Sequence, residues 1–303
     1  MKNIVRCAVL AVFCLFLCSH LAQAQGLIKI TDRIYSYADT KDPSPSNSFG
    51  ANAGIIIGDK GILVIDALAS AQEARRFLDD IRKVSDKPIR YVVDTHSHFD
   101  HTFGNAEFAA MGAVIVAQDN CAENMQISSR QVIENPESYG MTKEEAGVVK
   151  IACPNVMFAE KTRLGLGGVN VDLLFIAPSH TRDSLIVYVP EEKTVFAGDI
   201  LFTDYYPYMG DGDIQGWVKT LDHLMTMDAD TIVPGHGPLS TKKDLADMKE
   251  YLLAFDTKAR SLCATSGNLQ EIAAEMKKSL PLRSRADFLI MGSIQAKYLK
   301  PKN

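Results

Sequence analysis

His96-Ser97-His98-Phe99-Asp100-His101 packs three imidazoles and a carboxylate into six residues, directly after Ile89-Arg90-Tyr91-Val92-Val93, which reads as a β-strand. Histidine is the commonest nitrogen ligand for zinc, and catalytic zinc sites favour His with a carboxylate. In an extended segment residues i and i+2 point the same way, so His96 and His98 can close on one ion. Asp100 and His101 follow where a helix starts and can face a second ion beside the first. Two metals about 3.5–4 Å apart clamp attacking and leaving oxygens and generate hydroxide at neutral pH. Such a pair needs more donors, and the chain offers three, each after a strand: His180 in Ser179-His180-Thr181, Asp199 in Phe196-Ala197-Gly198-Asp199, and His236 in Pro234-Gly235-His236-Gly237. His223 shares a helix with Trp217, Leu221 and Leu224 and reads as a surface or core residue.

Outward from the cluster, strands and helices alternate. Leu27 to Asp39 reads as short strands, and Asp42-Pro43-Ser44-Pro45-Ser46-Asn47 as a loop by its turn chemistry. Gly54-Ile55-Ile56-Ile57 and Ile62-Leu63-Val64-Ile65 flank Gly58-Asp59-Lys60-Gly61, a hairpin signal. Ala69 to Val84 carries apolar residues at helical spacing. Residues 118–150 read as a polar, helical insertion. Strand signals return at Val169 to Ile176, Leu185 to Val189, Thr194 to Ala197 and Thr231 to Val233, with a helix through Trp217 to Leu224 between the last two. Beyond Ser240 the pattern is helical almost to the end. The interleaving predicts an α/β protein with its motifs on loops at strand ends.

The chain has 303 residues, 47% of them hydrophobic, enough for a large core. Lys2 and Arg6, the apolar run Cys7 to Cys18, and Ala22-Gln23-Ala24 read as a signal peptide over residues 1–24, which predicts a periplasmic or secreted protein of residues 25–303. Twelve apolar residues are too few to span a bilayer, which takes about 20. Net charge is −5, and about −7 once Lys2 and Arg6 are gone. With no basic stripe, nucleic acid and anionic membrane surfaces are excluded as partners, and a small-molecule substrate is expected. The sequence leaves oligomeric state open. Cys121, Cys153 and Cys263 remain after the leader; their odd number forbids a complete disulfide framework, and buried thiols are the favoured reading.

The order His-x-His-x-Asp-His, then His, Gly-Asp and Gly-His-Gly resembles the metallo-β-lactamase superfamily over roughly residues 28–240. The resemblance implies a four-layered αβ/βα sandwich, followed by a helical region from about residue 240 to 303. It assigns His96, His98 and His180 to a first zinc and Asp100, His101 and His236 to a second, with Asp199 bridging. It also gives Asp66, at the end of the strand Ile62 to Ile65, the task of orienting the ligands. The loop Ser179-His180-Thr181-Arg182-Asp183-Ser184 resembles that of subclass B1 β-lactamases, so Thr181 and Asp183 are expected to support His180. B1 enzymes, however, use a cysteine where Asp199 stands, and their substrate-gripping lysine is missing from Ile200-Leu201-Phe202-Thr203. The seven-ligand set is more similar to the general hydrolase branch of glyoxalase II, lactonases and the periplasmic SoxH-like or quinoprotein-relay metallohydrolases. Glyoxalase II differs at His180-Thr181-Arg182-Asp183, whereas Tyr205-Tyr206-Pro207-Tyr208 and Gly210-Asp211-Gly212 look most like the periplasmic group.

The reading is a secreted hydrolase with two zinc ions per chain, in which a metal-bridging hydroxide attacks an ester, thioester, lactone or lactam carbonyl. Asp100 is expected to hold or relay the nucleophile's proton. Tyr205, Tyr206 and Tyr208, in the loop Asp204 to Asp213, are expected to face the substrate together with the loop Asp42 to Phe49. The alternatives are an antibiotic-hydrolysing β-lactamase, a mononuclear iron persulfide dioxygenase using His96, His180 and Asp199, and a non-catalytic metal-binding protein.

Overall fold

The computed structural model of the protein describes residues 26–40 and 42–299; the expected signal peptide lies outside them. Seven strands form the first sheet in chain order: β1 (Ile28–Lys29), β2 (Ile34–Ser36), β3 (Gly54–Ile57), β4 (Ile62–Ile65), β5 (Ile89–Val93), β6 (Val114–Gln118) and β7 (Val156–Phe158). Five form the second: β8 (Lys161–Gly165), β9 (Asn170–Leu174), β10 (Ile186–Val189), β11 (Thr194–Phe202) and β12 (Thr231–His236), in the order β12-β11-β10-β9-β8. The expected hairpin is β3–β4, paired antiparallel from Gly54 opposite Ile65 to Ile57 opposite Ile62.

The described residues also form nine α-helices: α1 (Ala71–Val84), α2 (Phe99–Thr102), α3 (Asn105–Ala109), α4 (Cys121–Glu134), α5 (Lys143–Gly147), α6 (Ile214–Thr226), α7 (Lys242–Cys263), α8 (Leu269–Ser279) and α9 (Phe288–Ser293). Helix α1 starts where Ser70 accepts a hydrogen bond from the Glu73 amide, and it buries Ala74, Phe77 and Ile81 at helical spacing.

The alternation of strand side chains builds the layers. Ile56, Leu63, Ile65 and Val93 of the first sheet meet Val171, Leu173, Val187 and Phe196 of the second in a central core. Ile55, Val64 and Val92 point the other way, onto Phe77 and Ile81 of α1 and Phe108 of α3. On the far side Ile186, Val195 and Ala197 pack under Trp217 and Leu221 of α6 and Leu252 and Phe255 of α7. Helices, sheet, sheet and helices give the four layers, and strands covered on both faces read as continuous apolar runs such as β4.

Several elements differ from expectation. Strands β6, β7 and β8 carry no strong signal, and β6 takes its place by parallel pairing with β5. Strand β11 runs past Ala197 to Phe202, because parallel pairing with β12 continues through an irregularity at Gly198. Asp199 therefore lies within a strand and not after one. The Asp42 to Phe49 loop runs into a tight turn, Pro45–Gly50, in which Asn47, Ser48 and Phe49 depart from helical backbone. Cys121 is buried, Cys153 and Cys263 are half-buried, and all three are free. Among the described residues no helix is long and apolar enough to cross a membrane.

Candidate metal centre

The ends of β4, β5, β11 and β12 meet at one edge of the sandwich. Val93 ends β5, and the chain turns through Asp94–Ser97 into α2, carrying His96, His98, Asp100 and His101. His180 comes from the loop before β10, Asp199 from β11 and His236 from the last residue of β12.

These seven side chains divide into two donor groups. His96, His98, His180 and Asp199 place one donor atom each within 4.8 Å of the others, and so do Asp100, His101 and His236. Asp199 joins them. Its Oδ2 lies 3.7 Å from His96 Nε2 and 3.3 Å from His180 Nε2. Its Oδ1 lies 3.2 Å from His101 Nε2 and 3.4 Å from His236 Nε2. Asp100 Oδ2 completes the second group, 3.6 Å from His101 Nε2 and 3.5 Å from His236 Nε2. His98 turns Nδ1 inward, 2.9 Å from His180 Nε2.

The outward ring nitrogens of His96, His98, His101 and His236 are held by hydrogen bonds, which turns the other nitrogen of each ring inward. His101 Nδ1 donates to Asp66 Oδ2 at 2.8 Å, and Thr95 donates to the same carboxylate through its amide and its hydroxyl. The Thr95 hydroxyl, its proton given to Asp66, accepts from His96 Nδ1 at 3.1 Å. His236 Nδ1 donates to the Phe49 carbonyl at 3.2 Å, and His98 Nε2 to Asp211 Oδ2 at 3.1 Å. His180 is held by packing, its ring centroid 5.6 Å from Phe202 and 5.2 Å from Trp217.

The donor set suits a metal cation. His96 Nε2, His101 Nε2 and Asp199 Oδ1 are buried with no hydrogen-bond partner, a costly arrangement for polar atoms unless a cation engages them. Burial holds His96 well below the usual imidazole range and His180 down to about 3, so both are neutral donors at pH 7. In the second group burial works against charge, but Asp199 and Asp100 outweigh it. They lift His101 well above its ordinary value and His236 to about 9. The carboxylates thus hold positive charge at the place where an ion would supply it.

Supporting residues fall partly outside expectation. Thr181 bonds Ser184, with 2.8 Å between hydroxyls, and closes the turn around His180. Asp183 accepts from Ser97 Oγ at 3.1 Å and Asn124 Nδ2 at 2.7 Å, tying the His180 loop to the His96–His98 segment. Both hold the loop and not the imidazole itself. The three tyrosines separate. Tyr206 is turned into the core, its ring 6.1 Å from Tyr251 and its oxygen accepting from the Arg283 amide, so it faces away from the donor cluster. Tyr205 is 1% exposed and packs behind His236 at 5.5 Å. Tyr208 is half-buried beside the ligands, 6.0 Å from His98 and 6.5 Å from His180. In an irregular loop, neighbouring aromatics need not share a face, and the apolar helices behind this one draw in two of the three. Asp211, Thr95 and the Phe49 carbonyl were not singled out as ligand supports from sequence. His223 lies on α6, in neither donor group.

Residues 47–236 match the family described as the metallo-beta-lactamase superfamily. The chain belongs to the metallo-β-lactamase superfamily. It is 25% identical over 227 residues to a linear primary-alkylsulfatase from a Pseudomonas species, covering 64% of this chain and 43% of the relative. It is 26% identical over 223 residues to the alpha subunit of a 2,4-dinitroanisole O-demethylase from a Nocardioides species, covering 70% and 63%. The chain thus spans less than two thirds of the length of these relatives. A solved metallo-beta-lactamase from Pontibacter korlensis shares the fold with a TM-score of 0.59 and 22% identity, covering 75% of this chain and 98% of that one.

Proposed function

We propose that this metallo-β-lactamase-fold protein is a hydrolase with two zinc ions per chain, exported to the periplasm or beyond and acting on a small molecule with an ester-like centre. The observation that carries this reading is Asp199, whose two oxygens face two separate donor groups, His96 with His180 and His101 with His236. Two bound metals supply Lewis acidity and a water acidic enough to ionise at neutral pH. The chain supplies the rest. His96, His98 and His180 would hold one ion, and Asp100, His101 and His236 the other. Asp66, Thr95, Phe49 and Asp211 hold the outward nitrogens of His101, His96, His236 and His98, which orients the inward nitrogens toward the ions they would bind. Asp100, its side chain 13% exposed against 4% for Asp199, is the more accessible of the two carboxylates, and it would hold or relay the proton of an attacking water.

The scissile bond is open among ester, thioester, lactone and lactam. The relatives' names add alkyl sulfates and 2,4-dinitroanisole to a substrate panel.

Elemental analysis of metal-saturated protein tests the reading, since one tetrahedral zinc uses no more than four ligands and seven imply two ions. Two zinc equivalents per chain are expected. Asp199→Ala should lower that number and abolish turnover, while His223→Ala keeps both. One equivalent at saturation, or iron with oxygen consumption, overturns binuclear zinc and favours the dioxygenase built on His96, His180 and Asp199.

A further inference from the structure

The metal ligands leave a row of aromatic side chains beside the cluster without a role. Phe99 stands between the ligands His98 and Asp100. Its ring meets Phe49 edge-on, centroids 5.7 Å apart at 84°, and Tyr139 edge-on at 5.6 Å and 82°. The three come from separate segments, the turn Pro45–Gly50, helix α2 and the turn Pro136–Tyr139. Packing has brought them together, yet all three remain half-buried. A contiguous apolar strip left partly open beside a polar centre marks a binding groove, unlike single scattered aromatics.

The backbone at Phe49 is a second, independent observation. Ser48 and Phe49 both have φ of 52°, a left-handed conformation that is strained for two successive residues other than glycine. The Ala69 amide donates to Ser48 Oγ at 2.9 Å, Ser48 Oγ donates to Glu73, and the Phe49 amide donates to the Ser44 carbonyl at 2.9 Å. This bracing aims the Phe49 carbonyl at His236. Glycine would present the same carbonyl without strain, so the ring is what the position gains from phenylalanine.

We infer that Phe49, Phe99 and Tyr139 form a shelf that receives a flat aryl group attached next to the scissile bond of the substrate. The inference rests on the metallohydrolase reading of the same site. The three rings stay half-exposed beside one another, and a further aromatic ring can pair with them edge-on or offset, which a bulky saturated group cannot.

The test separates the two by using metal-binding probes that need no turnover: acetohydroxamate, benzohydroxamate and cyclohexanecarbohydroxamate, titrated calorimetrically into zinc-loaded protein. Benzohydroxamate should bind about tenfold or more tighter than acetohydroxamate, the scale of burying one ring. Phe49→Leu and Tyr139→Ala should each cut that ratio by about threefold or more with metal content at the wild-type level. Equal affinity for the methyl and aryl probes overturns the shelf and leaves the metallohydrolase reading standing. An unchanged ratio in both variants overturns the residue assignment, and a cyclohexyl probe binding as tightly as the aryl one overturns the preference for a flat group. If no hydroxamate binds, the metallohydrolase reading falls and the shelf with it.

Discussion

Each imidazole of the cluster has two nitrogens, and its usefulness as a ligand depends on what the outer one touches. Asp66 shows how strict that control is, since its carboxylate accepts from His101, from the Thr95 amide and from the Thr95 hydroxyl at 2.8 Å each. Asp66→Asn keeps the volume but sets an amide donor against two donors. Metal affinity at the Asp100, His101 and His236 group is expected to fall about 10–100-fold, read by chelator competition. An unchanged affinity would show that Asp66 serves only the strand end. Cys121 is the opposite kind of residue, one kept out of chemistry. Burial, with the charge of Asp183 added, pushes its thiol well above the ordinary range. The sign is plain: a raised thiol pKa leaves protonated sulfur at pH 8, which is a poor nucleophile. Native protein is expected to leave Cys121 unmodified by a disulfide reagent at pH 8 and to release one further reactive thiol on denaturation.

At the scale of elements, the site depends on how closely β11 and β12 approach. A methyl group on Gly235 would lie 1.9 Å from Asp199 Oδ1 and 2.7 Å from the Asp199 amide nitrogen. The amide belongs to a paired strand and cannot retreat, so the carboxylate must move. Gly235→Ala is expected to lower metal stoichiometry below that of wild type and to cost about 1–3 kcal/mol of stability by overpacking. Elemental analysis and denaturant unfolding measure the two effects; full metal loading would show that the carboxylate has room to shift. The same approach explains why Asp199 could not be placed from its neighbours. Phe196-Ala197-Gly198-Asp199 reads as a strand with a turn residue after it. Only the partner strand, pairing Gly198 with Pro234 and Phe202 with His236, carries the element on to Phe202.

In the whole molecule, the helices after Ser240 are part of the core. Leu245, Met248, Leu252 and Phe255 of α7, Ile272 and Met276 of α8 and Ile290 of α9 share one cluster with Ile186 and Val195 of the second sheet. Burying side chains of this size stabilises the fold by about 1.5–3 kcal/mol each. A chain ending at Ser240 is expected to be insoluble or to lack cooperative unfolding, judged by soluble yield and circular dichroism. A folded truncation would mean that the sandwich ends where the family match does. The same region holds the loop beside the donor cluster, where Ser293 Oγ of α9 accepts from the Met209 amide at 2.9 Å and Arg285, between α8 and α9, sits over Tyr205. This packing turned Tyr206 away from the donor cluster and left Tyr208 beside it. The donor cluster at 96–101, the β3–β4 hairpin, the apolar periodicity of α1 and the α/β class were legible in the sequence, because spacing, turn chemistry and strand period act between near neighbours. Of the partners of the outer ring nitrogens, Asp66 alone was expected, through the family resemblance; Thr95, Phe49 and Asp211 were not. Phe49 and His236 are 187 residues apart, and His98 and Asp211 are 113. The sequence by itself determined which side chains can hold metal. Their partners and walls were decided by the tertiary structure, since contacts between distant segments are set by how two sheets and their covering helices pack and not by local conformation.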